Sequence, residues 1–200
     1  FNSKGYINWT KKEPLKLVTH HWGSNWMKGF DIYSKIDQML ETNTWKSKIS
    51  FTYIGNLPKG FKFKNVTYVK PLDGLNLARE LKKHHVYITA SINEPGGNHQ
   101  NEGALCGLPL LYRDSGCMPE YCEGFGIMFN KENFVRALNQ MRLEYFDYVP
   151  KMKNYPHNSV YSNSKYLKLL NDLLNDETFT NNNKRFSEHP IKTIKSIFVI

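Results

Sequence analysis

Six short apolar runs, separated by polar loops and amphipathic segments, limit this chain to a small set of architectures. The runs fall at 15–19, 49–54, 66–69, 86–90, 108–112 and 126–129. Val86 to Ala90 is almost continuously apolar, as expected of a parallel strand buried on both faces. Between the runs the period changes. Phe30, Tyr33, Ile36 and Leu40 recur at spacings of three and four, so a helix opening at Lys28-Gly29 is expected to reach about residue 40. Residues 73–84 read as a second helix, with Asp73 as N-cap and Leu75, Leu77, Ala78 and Leu81 on its apolar side. Further helices are expected at 98–106, 131–147 and 163–175. Strand alternating with helix predicts an α/β fold: a Rossmann-like, three-layer domain around a six-stranded parallel sheet. That domain is placed at 15–176, after a lead-in or linker over 1–14 and before a basic, flexible tail over 177–200. The loop after the first strand is expected to begin at His20.

Size and charge narrow the partners. The chain has 200 residues, so one domain is the default, and such a domain buries roughly 70% of its unfolded surface. Its net charge of +9 favours an anionic partner: nucleic acid, acidic lipid or a phosphorylated small molecule. The lysines are spread along the chain and no nucleic-acid recognition motif is visible, so nucleic acid ranks low. Three cysteines, Cys106, Cys117 and Cys122, read as free thiols in a reducing compartment. No metal is expected. His84 and His85 are adjacent, point to different faces and lack a third ligand, and Cys117 and Cys122 have no zinc-ligand partners. No apolar stretch reaches the roughly 18 residues of a transmembrane helix, and no signal peptide is expected. The chain starts at Phe1 and reads as a piece of a longer protein.

In doubly wound sheets ligands sit beyond the carboxyl ends of the strands, at the switch point. That directs attention to the loops at 20–28, 55–60, 70–73, 91–98 and 113–117. The segment from Ser91 to Gly107 is the most informative. There a buried strand runs into Pro95-Gly96-Gly97 and then into a helix start. Glycines let backbone N–H groups approach a ligand, and the helix start favours phosphate. Glu94 and Glu102 are separated by seven residues. They fit carboxylates that grip sugar hydroxyls and a ribose diol. They also fit a solvated loop acid and a surface helix residue. Spacing alone leaves both open.

The stretch Glu94-Pro95-Gly96-Gly97, then Glu102-Gly103-Ala104-Leu105-Cys106-Gly107-Leu108-Pro109-Leu110-Leu111, then Gly116 and Pro119-Glu120, resembles the donor-binding half of GT-B glycosyltransferases. It is similar in particular to the retaining family 4, the glycosyl transferases group 1, over roughly residues 15–175. The resemblance implies the C-terminal half of a GT-B fold and a retaining hexosyltransferase. The donor would be a UDP- or GDP-sugar, used in glycan biosynthesis, and no metal cofactor is implied. Glu94 would orient the donor sugar. Lys28 would neutralise the leaving diphosphate, a role that grows in the transition state. Glu102 would hold the ribose, and the amides of Gly96, Gly97 and Asn98 would face the diphosphate or sugar. Asn56 and the backbone near Leu72 would lie near the base. An arginine usual in the family falls at Gly23 here, so His20, His21, Ser24 or Asn25 would supply phosphate contacts. The same residues also fit packing between loops.

The resemblance further implies a missing N-terminal domain that holds most of a glycan or lipid-linked acceptor. Without it the chain would be a nucleotide-sugar-binding module with no activity of its own. A cytoplasmic location, with peripheral contact at a membrane surface, suits the charge. A dinucleotide-binding oxidoreductase ranks below these readings, because no Gly-x-Gly-x-x-Gly turn follows the first strand.

Overall fold

A computed structural model describes residues 1–175. The chain divides into two compact units, Phe1–Tyr155 and Pro156–Ile200. The tail expected over 177–200 lies outside the described residues.

The first unit carries the expected sheet. Strands β1 (Leu15–His21), β2 (Ile49–Gly55), β3 (Thr67–Val69), β4 (Val86–Thr89), β5 (Leu110–Arg113) and β6 (Gly126–Phe129) pair in the order β3-β2-β1-β4-β5-β6. Every pairing is parallel. The chain therefore builds outward from β1, returns, and builds outward again from β4. The strand order reverses between β1 and β4, and loops leaving those two strands diverge to make a crevice.

Strand alternation divides the core between the two faces of the sheet. Leu15, Leu17, Phe51, Tyr53, Val86, Ile88, Leu111, Ile127 and Phe129 pack with α1 (Phe30–Met39) and α6 (Phe134–Tyr148). Val18, Ile54, Tyr87, Leu110 and Tyr112 pack with α3 (Gly74–Leu81), α4 (His99–Leu105) and α5 (Met118–Cys122). This is the three-layer Rossmann-like arrangement expected of the alternating pattern.

Several expectations are corrected. The first strand does not stop at Thr19. His20 and His21 continue the ladder, opposite Ile54 and Gly55 of β2. Pairing with a long neighbour outweighs the polarity of the two imidazoles. Two short helices were not expected, α2 (Asn43–Lys46) and α5, nor was the 3-10 segment Val149–Asn154. At four to six residues each, they are too short to display a helical period. Residues 1–14 form no strand or helix, yet Trp9 is buried. Its backbone N–H donates to the Tyr145 hydroxyl at 3.1 Å, and Tyr6 Oη donates to the His85 carbonyl at 2.8 Å. The buried Asp37 carboxylate accepts the backbone N–H groups of Lys64, Asn65 and Val66, tying the segment before β3 to α1.

In the second unit α7 (Ser159–Leu174) begins earlier than expected. Asn158 caps it, accepting the Tyr161 N–H at 3.0 Å.

Candidate functional site

The crevice is built by β1, β4 and the loops that leave them. After β1 the chain turns through Trp22 to Asn25 into a 3-10 turn, Trp26–Lys28. Gly29 then adopts φ +98° and opens α1. A Cβ at Gly29 would lie 2.5 Å from the Ala90 backbone, so the junction crosses directly over the end of β4. The Ile92 N–H donates to the Met27 carbonyl at 2.7 Å. These two contacts bring the segments at 26–29 and 90–94 together.

Lys28 and Glu94 meet as a result. Lys28 Nζ lies 2.6 Å from Glu94 Oε2, and both side chains are largely buried. Gly23, the position of the absent arginine, has a steric role. A Cβ there would lie 2.9 Å from Lys28 Cε, so the missing side chain leaves room for the lysine stem. The Glu94 backbone is tightly held. Asn93 sits at φ +52°, a conformation asparagine tolerates better than most residues. The Glu94 carbonyl accepts the Cys117 N–H at 2.9 Å. Gly116 passes so close that a Cβ would lie 2.4 Å from that carbonyl oxygen. The loop after β5 thus clamps the loop after β4.

Glu102 lies in the first turn of α4, at the same edge of the sheet. Its Oε2 is 2.7 Å from His20 Nε2. His20, expected in a loop among alternative phosphate contacts, lies instead in β1 against Glu102. Its Nδ1 lies 3.0 Å from the Tyr87 hydroxyl.

His21 turns into the core rather than towards the crevice opening. Its Nε2 lies 2.9 Å from Tyr33 Oη and 3.2 Å from Thr19 Oγ1. Its ring lies 4.7 Å from that of His99, tilted by 59°, and His99 Nε2 bonds Thr89 Oγ1 at 2.8 Å. Burial above all holds both His21 and His99 well below the usual imidazole range, and the nearby His20 and Lys28 push each further down. Both are neutral at pH 7, so neither brings a positive charge to a phosphate.

The remaining candidates surround these groups. Gly96 has open space where a Cβ would be. A Cβ at Gly97 would meet His99 at 2.8 Å and Glu94 at 2.9 Å, so that position needs glycine. Asn98 is the residue preceding α4. Gln100 Nε2 donates to the Gly97 carbonyl. Asn25 is exposed and precedes the 3-10 turn. Asn56 donates through Nδ2 to the Trp22 carbonyl at 2.7 Å. Leu72 lines a shallow recess together with His20, His21, Trp22, Ile54, Gly55 and Pro71.

His84 and His85 are structural. His84 Nε2 bonds Thr52 Oγ1 at 2.9 Å, and His85 Nδ1 accepts the Lys16 N–H at 3.0 Å. The three cysteines are free and buried, and burial raises the Cys106 thiol to about 11. Among the described residues no cluster of three or more His, Cys, Asp or Glu side chains is arranged for a metal ion. No helix among them is long and apolar enough to cross a membrane.

Tyr87 lies outside every motif, and His20 was expected in a loop rather than on a strand face. The signal for both was alternation along the strands, since every second residue of a fully buried strand faces the side on which α4 packs.

No protein-family model and no curated protein matches the chain. Solved structures match it in fold. The structure of TarM superposes with a TM-score of 0.59 at 15% identity, covering 82% of this chain and 36% of that one. WaaG, a glycosyltransferase involved in lipopolysaccharide biosynthesis, gives 0.62 at 15% identity over 76% of this chain and 45% of its own. The catalytic domain of starch synthase IV from Arabidopsis thaliana, solved bound to ADP and acarbose, gives 0.61 at 15% identity, over 86% and 43%. The chain spans less than half the length of each of these three.

Proposed function

We propose that this chain is the donor-binding part of a retaining glycosyltransferase, acting on a nucleoside-diphosphate sugar. The observation that carries the reading is convergence. Lys28 pairs with Glu94, and Glu102 pairs with His20 at the end of β1, beside the β1–β4 switch point of a parallel sheet ordered β3-β2-β1-β4-β5-β6. The fold likeness to WaaG and starch synthase IV supports the same reading.

In this reading Glu102 accepts hydrogen bonds from the ribose hydroxyls. Lys28 leaves Glu94 and pairs with the diphosphate, whose charge grows as the bond to the anomeric carbon breaks. The electron pair of that bond leaves with the diphosphate. Glu94, freed of the lysine, accepts hydrogen bonds from the sugar. The acceptor hydroxyl attacks the anomeric carbon from the face the diphosphate leaves and passes its proton to the departing diphosphate oxygen, which retains configuration. The reading requires no metal. A second reading has a specific observation behind it: the chain spans 36% to 45% of these solved structures. It then binds the donor, while an N-terminal domain holds a glycan or lipid-linked acceptor. A cytoplasmic site beside a membrane surface fits both readings and the +9 charge.

Thermal unfolding with UDP, GDP and ADP, and with their sugars, tests the reading. A ligand that binds only the folded chain raises the melting temperature. At least one nucleoside diphosphate is expected to raise it, in the presence of EDTA, and Glu102→Ala is expected to abolish the rise. No shift with any of them at saturation sinks the donor-binding reading.

A further inference from the structure

We infer that His20 is the positioning residue that aims Glu102 at the ribose, with Tyr87 setting its tautomer. The inference rests on the reading of Glu102 as the ribose ligand and extends it to two residues beneath it. His20 is 4% exposed, and its imidazole is sandwiched between the two partners. The shortest contacts set the proton arrangement. Burial raises the Tyr87 phenol well above its usual range, so it stays protonated. The Tyr87 oxygen accepts the His20 backbone N–H at 3.2 Å. Its own proton then goes to His20 Nδ1 at 3.0 Å, nearer than the His20 carbonyl at 3.4 Å. With Nδ1 as acceptor, the ring proton sits on Nε2. That N–H donates to Glu102 Oε2 at 2.7 Å.

The consequence is directional. His20 fixes one carboxylate oxygen from the buried side, where its ring is 5% exposed. The Glu102 side chain is 30% exposed, which leaves the outer oxygen for a vicinal diol. Without the imidazole the glutamate keeps its charge but loses its direction, as any flexible side chain on a helix surface does. A diol held by two aligned hydrogen bonds depends on that direction. A diphosphate held by Lys28 does not.

The experiment compares affinities for UDP, GDP and ADP with those for their 2′-deoxy counterparts, and for inorganic pyrophosphate. The wild-type chain is expected to prefer the ribonucleotide it binds best by about tenfold, the loss expected from one hydrogen bond to a charged group. His20→Leu is expected to reduce that preference to within about twofold while pyrophosphate affinity is kept. Tyr87→Phe is expected to reduce it in part. His20→Gln, which returns an N–H near the Nε2 position, is expected to restore most of it. Unchanged discrimination in His20→Leu overturns the positioning role and leaves the donor reading intact. A wild-type chain that binds no nucleoside diphosphate overturns both. If His20→Leu loses pyrophosphate as well, His20→Gln decides: discrimination kept supports the role, and discrimination lost with pyrophosphate binding kept overturns it.

Discussion

Gly103 follows Glu102 in α4, and a Cβ there would lie 2.4 Å from the Tyr87 ring. Gly103→Ala therefore has to move the helix or the tyrosine. It is expected to lower stability by about 1–3 kcal/mol, the usual cost of overpacking, as measured by urea unfolding. Lys28 makes a second prediction. On the proposed function its ammonium would serve the diphosphate rather than the nucleoside, so Lys28→Met is expected to weaken nucleoside diphosphate binding by about tenfold to a hundredfold, the size of a lost charge-assisted contact. Nucleoside monophosphate binding is expected to change much less, and calorimetry on the pair of ligands separates the two. His85 makes a third. Burial above all lowers its pKa from 6.5 to about 4, and its Nδ1 lone pair is taken by the Lys16 N–H. The unfolded chain therefore binds a proton more readily than the folded one. This contribution to stability is complete above pH 6.5 and is lost as pH falls towards 4. The buried His21, His84 and His99, all shifted downward, add in the same direction. Melting temperatures are expected to fall across that window, and His85→Asn is expected to flatten the fall.

The junction between the 3-10 turn and α1 joins two parts of the crevice. Gly29 needs its positive φ, and its approach to Ala90 leaves no room for a Cβ. Gly29→Ala is expected to cost about 2 kcal/mol or more, since backbone strain and overpacking act together. It is also expected to separate Lys28 from Glu94 and so reduce the thermal response to nucleoside diphosphates. Unchanged affinity in a folded Gly29→Ala chain would show that the junction does not set the lysine's position. The short β3 and the loop before it depend on one carboxylate in a comparable way. Asp37 accepts three backbone N–H groups there.

For the molecule as a whole, the solved structures set the expectation. This chain corresponds to less than half of each of the three described. On the proposed function, binding and catalysis by this chain are therefore expected to separate. A nucleoside-diphosphate sugar is expected to raise the melting temperature of the chain alone, with no transfer of sugar to an added acceptor. Release of free sugar from the donor is expected to stay near background. Rapid transfer by the isolated chain would mean that it holds an acceptor unaided.

The order of strands and helices was legible in the residues because each element writes its own period. Apolar runs such as 86–90 and the spacing of Phe30, Tyr33, Ile36 and Leu40 report burial on one side or two. The Glu94 to Glu102 segment was legible because a strand end, a glycine turn and a helix start lie next to each other in the chain. The short α2 and α5 were not, since a single turn has no period to display. The extension of β1 through His20 and His21 came from pairing with β2, a partner more than thirty residues away. The partners of the two glutamates were equally hidden. Lys28 reaches Glu94 across 66 positions, and His20 reaches Glu102 across 82. Local pattern encodes which side of an element is buried. Which side chains then face each other depends on strand order, on where a glycine lets two loops touch, and on which imidazole nitrogen finds a donor.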